Sequence, residues 1–336
     1  MRYRALGKTD IKVSEIGFGC WTMGGPNYSV DNGKPIGWRD VERDDVLAGI
    51  RTGLDAGVNH FDNADIYGNG KAERLLGECL KELGHLDGPS RENLVIATKV
   101  GHHKGTAPHA YTPFNIRRQC EQSLINMRVD HIDLYYFHHG WYAKDGQPGN
   151  LADAAGTMHD LIAEGKVRAA AQSAYADEDF ARAIPVLKPA ALQSWANMLK
   201  PNFIAPGCAV QALMAEHGCS YIAFGPLGQG LLLDKFDPAH PPKFDEGDVR
   251  GNNEAFTTEQ LTALKPKLEA LKERFGGTVE DLASAACRYV LAHDHVAGVI
   301  PGFRNEPQAR CNLRAATDDP FTSEDLAFCR ELFANA

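Results

Sequence analysis

The chain has 336 residues, 24% of them charged and 43% hydrophobic, and a formal net charge of −9 at pH 7. Its lysines and arginines are scattered, which argues against an electrostatic nucleic-acid footprint, and no stretch approaches the roughly 18 consecutive apolar residues of a membrane span. The eight cysteines form no CxxC pair and read as buried reduced thiols, not zinc ligands, which places the expected protein in the cytoplasm.

In chain order, YRALGKT and IKVSE flank a GKTD turn and predict a hairpin over one end of the fold. EIGFG is the first strand of the main sheet, and VERDDVLAGIRTGLDAG follows with Val46, Leu47, Ile50 and Leu54 at helical spacing. VNHFD is the second strand, followed by KAERLLGECLKELG, whose Leu75, Leu76, Cys79, Leu80 and Leu83 share a face. NLVIATKV is the third, before a helix opened by Thr112 as N-cap with Pro113 at its first position. HIDLYYFHH precedes a helix from about Leu151 that Gly165 stops, and KVRAAAQS precedes DEDFARAI. ALQSW, SYIAFGPL and VAGVIPG complete the strands; PNFIAPGCAVQALMAEHG and TVEDLASAACRYVLAHD read as the helices before the last two.

These strands are apolar throughout, as strands buried on both faces are. A (β/α)8 barrel with an N-terminal β-hairpin accommodates them best, as one domain over residues 1–336 without internal repeats. An open doubly wound sheet would carry an early GxGxxG, and the glycines of GFGCWTMGG and GPLGQG have the wrong spacing. A long Pro, Gly, Asp and Asn-rich loop lies between strands seven and eight; Gly228 to Phe256 is the expected clamp over a ligand.

Barrel chemistry sits at the C-terminal strand ends. There the sequence places Asp62 after strand two, Lys99 after strand three and His138 after strand four, with Tyr67 on the loop behind Asp62. Together they fit one task, protonating a carbonyl oxygen. A phenol is a weak acid near neutrality, so Tyr67 calls for a nearby cation, which Lys99 supplies; Asp62 keeps that lysine charged, and His138 orients the carbonyl. No nucleophile accompanies the set, so a hydride must come from a nicotinamide cofactor.

With these residues in place, the chain resembles the aldo-keto reductases. GFGCW, HFDNADIYG, ATKV, DLYYFHH, GKVRAAAQS, LQSWAN, GPLGQGLL and IPGFRNEPQARCNL stand in the order and spacing of that family. The resemblance implies a catalytic tetrad of Asp62, Tyr67, Lys99 and His138, and NADPH or NADP+ as cofactor. It assigns Ser173 and Gln193 to the carboxamide, with Ala174 standing where the family has Asn. Losing that hydrogen bond would cost roughly 0.5–1.5 kcal/mol of binding. Phe224 would stack on the nicotinamide, and Trp21, Asp62, Gly225, Pro226, Leu227 and Gly302 complete that side. Arg304 and Gln308 would meet the 2′-phosphate at a helix start capped by Asn305, and Asn312 the adenine; Cys311 replaces a common Glu.

For a small carbonyl or alcohol substrate, the resemblance makes Trp21, Tyr67, His138 and Trp141 the walls, with Tyr142 beside them. His138 and His139 alternate faces, so one of them points inward, and the resemblance, through the family's spacing from DLYY, implies that it is His138. His102 and His103, in the loop after Lys99, read first as polar loop surface, with the rim of the site as the alternative. The expected partners exclude nucleic acid and membrane, and leave monomer or homo-oligomer open. A weakly catalytic redox-sensing subunit, as in the potassium-channel β subunits of this fold, is the alternative. A metal-dependent hydrolase is disfavoured, because HH doublets on strands do not converge on a metal.

Overall fold

The computed structural model describes residues 1–29, 32–142 and 150–334. A hairpin of β1 (Tyr3–Ala5) and β2 (Lys12–Ser14) opens the chain. Eight parallel strands follow: β3 (Phe18–Gly19), β4 (His60–Asp62), β5 (Val95–Val100), β6 (Ile132–Phe137), β7 (Val167–Ser173), β8 (Ala191–Trp195), β9 (Ser220–Phe224) and β10 (Val296–Ile300). They pair in chain order from β3 to β10. The ring closes where Gly17 N–H donates to Val299 O at 2.8 Å, Val299 N–H to Glu15 O at 2.9 Å and Gly19 N–H to Pro301 O at 3.1 Å. This is the (β/α)8 barrel with its N-terminal hairpin.

The two faces of each strand do different work. Val95 and Ala97, Leu134 and Tyr136, Ala169 and Ala171, with Ala191, Ile222 and Ala297, form one buried interior cluster. Their neighbours Ile96, Tyr135, Phe137, Leu192, Tyr221 and Val299 pack outward against the helices. Two-residue alternation explains the division, and the many interior alanines suit a narrow ring. Leu6, Ile11 and Val13 of the hairpin belong to the interior cluster, so the hairpin plugs the N-terminal end. Two buried carboxylates and their arginines gird that end, with Glu15 2.6 Å from both Arg2 and Arg4, and Asp133 2.8 Å from both Arg91 and Arg168.

The helices run α1 (Arg43–Asp55), α2 (Lys71–Glu82), α3 (Gly88–Glu92), α4 (Pro113–Met127), α5 (Asn150–Ala163), α6 (Asp177–Leu187), α7 (Ala209–His217), α8 (Thr258–Phe275), α9 (Val279–Leu291), α10 (Glu306–Leu313) and α11 (Ser323–Phe333). The stretch beginning at Pro201 is helical only from Ala209, because Pro201, Pro206 and Gly207 hold its first half in turns. Thr112 does precede α4, with Pro113 at its start, but its side chain makes no capping bond. α8 is not among the helices expected from sequence: its apolar Leu261, Leu264, Leu268 and Leu271 are interrupted by Pro266 inside the helix.

The insertion between β9 and α8 forms 3-10 turns at Gly228–Leu233, Val249–Asn252 and Glu254–Phe256. It crosses the C-terminal end as a strap to the loop after β3. Val249 N–H donates to Gly37 O at 2.9 Å and Gly37 N–H to Gly247 O at 3.2 Å. The Arg250 guanidinium lies 4.6 Å from the Trp38 ring and 4.3 Å from that of Phe244, and forks the Asp248 carboxylate at 3.0 and 2.6 Å.

Candidate active site

Three strand ends and one loop build the centre of the C-terminal face. Asp62 is the last residue of β4, Lys99 the penultimate residue of β5, and His138 follows β6 directly. The loop after β4 turns back on itself, since Asp65 N–H reaches Lys99 O at 3.4 Å and Tyr67 N–H reaches Ala64 O at 3.1 Å. Gly68 (φ +58°) lies against Gly24, whose carbonyl oxygen would be 2.2 Å from any Cβ there. That close approach admits only glycine and sets Tyr67 into the mouth.

Lys99 is fully buried, and its ammonium spends all three N–H groups within the site. It donates to Asp62 Oδ2 at 2.5 Å, to Asn63 O at 2.7 Å and to the Tyr67 hydroxyl at 3.2 Å. The other Asp62 oxygen accepts from Gln193 Nε2 at 2.8 Å. Because the Tyr67 oxygen accepts from Lys99, its own O–H is left to donate to a ligand. Burial, then the nearby Asp62 carboxylate, pushes the Tyr67 phenol well above its ordinary range. The expected lowering by Lys99 is therefore not what the resting site shows; with Asp62 on the lysine, the phenol keeps its proton.

His138 stands edge-on to Tyr67 at 5.8 Å between ring centroids. Burial first, then His102, Lys99, His139 and His103, holds it well below the usual imidazole range, so it is neutral and donates from one nitrogen. Trp21 stacks on Tyr67 at 6.1 Å and is fixed by its Nε1–H to Ile36 O at 2.9 Å. Trp141 is exposed at the rim, 6.1 Å from His102.

Three side chains depart from expectation. Tyr142 is no wall: it is buried, bonded to Gln172 and packed 4.9 Å from Tyr111. His102 is exposed, as read, but it also reaches the site, its ring standing 4.6 Å from His138 and 5.0 Å from His139. Trp38, which the sequence pass did not single out, is buried with its ring 5.4 Å from Trp21.

The cofactor candidates line the opposite half of the mouth. Ser173 is buried at the end of β7, its hydroxyl unpartnered among the described residues. Ala174 follows it, also buried, and Phe224 is half-buried at the end of β9. Gly225, at φ +63°, begins the turn through Pro226 and Leu227, in which Gly228 N–H returns to Gly225 O at 3.0 Å. After β10, Asn305 caps α10 by accepting Gln308 N–H at 3.1 Å, and the Gln308 carbonyl accepts Arg304 N–H at 3.0 Å. Asn312 donates to Gly302 O at 3.1 Å.

Arg304 is half-buried, and its Nη1 has no partner among the described residues. Burial, then Arg39 and Arg250, lowers its affinity for protons. Burial of the stem, then Arg250 and Arg304, does the same to Lys235. The four cations, from the loop after β3, the strap and the start of α10, stand within electrostatic reach of one another, and Arg250 forks the Asp248 carboxylate. From sequence Arg304 alone is singled out; LLLDK and GDVR carry Lys235 and Arg250 inside a stretch read as an irregular loop, and GWRD carries Arg39 in the polar loop after the first barrel strand. An unpartnered guanidinium nitrogen, an unpartnered buried hydroxyl and a half-exposed ring suit a polyanionic dinucleotide ending in a flat heteroaromatic ring. Among the described residues no group of His, Cys, Asp and Glu could hold a metal ion.

A parallel eight-stranded barrel with this constellation at its C-terminal face stands among the barrel oxidoreductases. The aldo/keto reductase family model matches residues 15–334, and the chain belongs to that family. It is 26% identical to an NADH-specific methylglyoxal reductase of Escherichia coli (strain K12), covering 99% of this chain and 98% of the relative. It is 25% identical to a probable voltage-gated potassium channel subunit beta of Arabidopsis thaliana, covering 94% of this chain and 91% of the relative. The structure of the glycerol dehydrogenase from Gluconobacter oxydans matches with a TM-score of 0.77 at 26% identity, covering 99% of this chain and 94% of that one.

Proposed function

We propose that the protein interconverts an aldehyde or ketone and its alcohol, with NADP(H) as cofactor and Tyr67 as general acid and base. The observation that carries this reading is the Tyr67 hydroxyl, which accepts from the Lys99 ammonium at 3.2 Å while Asp62 holds that ammonium at 2.5 Å. Phe224, Ser173 and Gln193 would hold a reduced nicotinamide, which would supply the hydride. His138 and Tyr67 direct two donors at the carbonyl oxygen, and both bonds strengthen as negative charge develops there. Tyr67 gives up its proton to that oxygen. The tyrosinate left behind faces the Lys99 ammonium, so the cation acts when the charge exists, not at rest.

The pH dependence follows from the raised phenol. Reduction needs protonated Tyr67 and holds through neutrality, falling only well above the ordinary phenol range; oxidation needs tyrosinate and climbs as pH rises.

Arg304, Arg39, Arg250 and Lys235 support NADP(H) over NAD(H), since a 2′-phosphate adds the charge such a cluster neutralises. The NADH-specific relative makes this the point to measure. Tyr67→Phe should abolish turnover of a generic aldehyde while leaving NADPH binding, followed by nicotinamide fluorescence, intact. Arg304→Ala should weaken NADPH much more than NADH; equal weakening would remove the 2′-phosphate assignment. The likeness to the channel subunit supports a second reading, a cofactor-binding redox sensor, for which NADPH would bind without turnover of any carbonyl. In either case we place the whole chain, as one functional unit, in a reducing cytoplasm that suits its eight free cysteines.

A further inference from the structure

His139 is buried one residue beyond His138, and the tetrad gives it no task. Its ring is engaged at both nitrogens. Nδ1 accepts the Trp141 backbone N–H at 3.2 Å, which leaves the proton on Nε2, and Nε2 lies 2.7 Å from Gly101 O. Its backbone is held as firmly. The Tyr111 hydroxyl donates to His139 O at 2.7 Å and accepts His139 N–H at 3.1 Å, gripping residue 139 from both sides. The Trp141 indole stacks on the imidazole at 4.1 Å, and His138 N–H bonds to Val100 O at 2.9 Å.

The place is shaped for these groups. Gly101 has φ +146°, and a Cβ there would fall 2.4 Å from the Tyr111 oxygen and 3.1 Å from His139 Nε2. Any side chain at 101 would evict the hydroxyl or the imidazole. Residues 100 and 101 follow Lys99 directly, so the contacts tie the end carrying the lysine to the end carrying the catalytic imidazole.

We propose that His139, with Tyr111, is a positioning residue: it locks the ends of β5 and β6 together, and so fixes His138 over Tyr67 and Trp141 at the substrate rim. The inference rests on the reductase reading for its kinetic consequence but not for its geometry. A glutamine at 139 can still offer an amide N–H to Gly101 O, whereas leucine cannot, and phenylalanine at 111 removes only the hydroxyl.

The test uses the full chain in which histidine is 15N-labelled. In the cofactor-free protein, His139→Leu and Tyr111→Phe should shift the ring resonances of His138 and raise its exchange broadening, while His139→Gln stays near the parent. In turnover, kcat should fall about tenfold or more in the first two variants, the scale expected when a catalytic group is misplaced, with NADPH affinity unchanged and His139→Gln recovering most of it. Parent-like His138 resonances and kcat in folded His139→Leu and Tyr111→Phe would overturn the proposal. So would a kcat loss that merely follows melting temperature across all three. A parent that turns over no carbonyl would sink the reductase reading instead, and the His138 resonances would still decide the positioning.

Discussion

Asp65 stands three residues beyond Asp62, buried, and accepts from Gln119 Nε2 at 3.1 Å. Burial, then the neighbouring Glu73 carboxylate, pushes its carboxyl up to about 8 from an ordinary 3.8. The folded chain thus holds a proton there that the unfolded chain releases, so the contribution is favourable below about pH 3.8 and is lost as pH rises through 8. Asp65→Asn removes that loss and can still accept from Gln119. Its melting temperature should exceed the parent's at pH 9 and match it at pH 4, with turnover at pH 7 nearly unchanged; a gain at pH 4 as large as at pH 9 would contradict the cause given. Asp62→Asn is the opposite case: it leaves the Lys99 ammonium buried without its counter-charge, a loss of about 3–5 kcal/mol that denaturant unfolding would read, together with loss of turnover. The gathering of Asp62, Tyr67, Lys99 and His138 was legible because three of them are chemically apt residues at strand ends and Tyr67 follows on the loop behind the first. The burial of Asp65 and the company of His102 were not, because Gln119, Glu73 and Trp141 arrive from other elements.

The strap is where function passes from residues to an element. Its backbone bonds to Gly37 and the Arg250 guanidinium between Trp38 and Phe244 hold it across the strand ends. Arg250→Ala gives up the fork to Asp248 and both ring contacts. NADPH should then dissociate about tenfold faster in stopped-flow fluorescence, the equivalent of ~1.4 kcal/mol. An unchanged release rate would strip the strap of its proposed hold on the cofactor. Strand positions were readable from uninterrupted apolar runs, and α1 and α2 from their periodic faces. α8 escaped notice because Pro266 breaks its pattern, and the strap's course could not be read because its anchor, Gly37, lies in another loop about 210 residues earlier in a chain whose order sequence patterns follow only locally.

At the scale of the molecule the barrel separates durability from chemistry. Leu6, Ile11 and Val13 seal one end while the tetrad occupies the other. Leu6→Ala should cost about 2–5 kcal/mol of stability through the cavity it leaves, with kcat unchanged at temperatures where the variant stays folded. A matching fall in kcat there would show that the two ends communicate. The seam between the strap and the loop after β3 joins the two halves of the mouth: the strap covers the proposed dinucleotide, and the loop presents Trp38, whose ring stands against Trp21. On the proposed reading the dinucleotide would lie beneath that seam and the carbonyl in front of it, so product-inhibition patterns should show the dinucleotide binding first and leaving last; a random order would separate the seam from cofactor exchange.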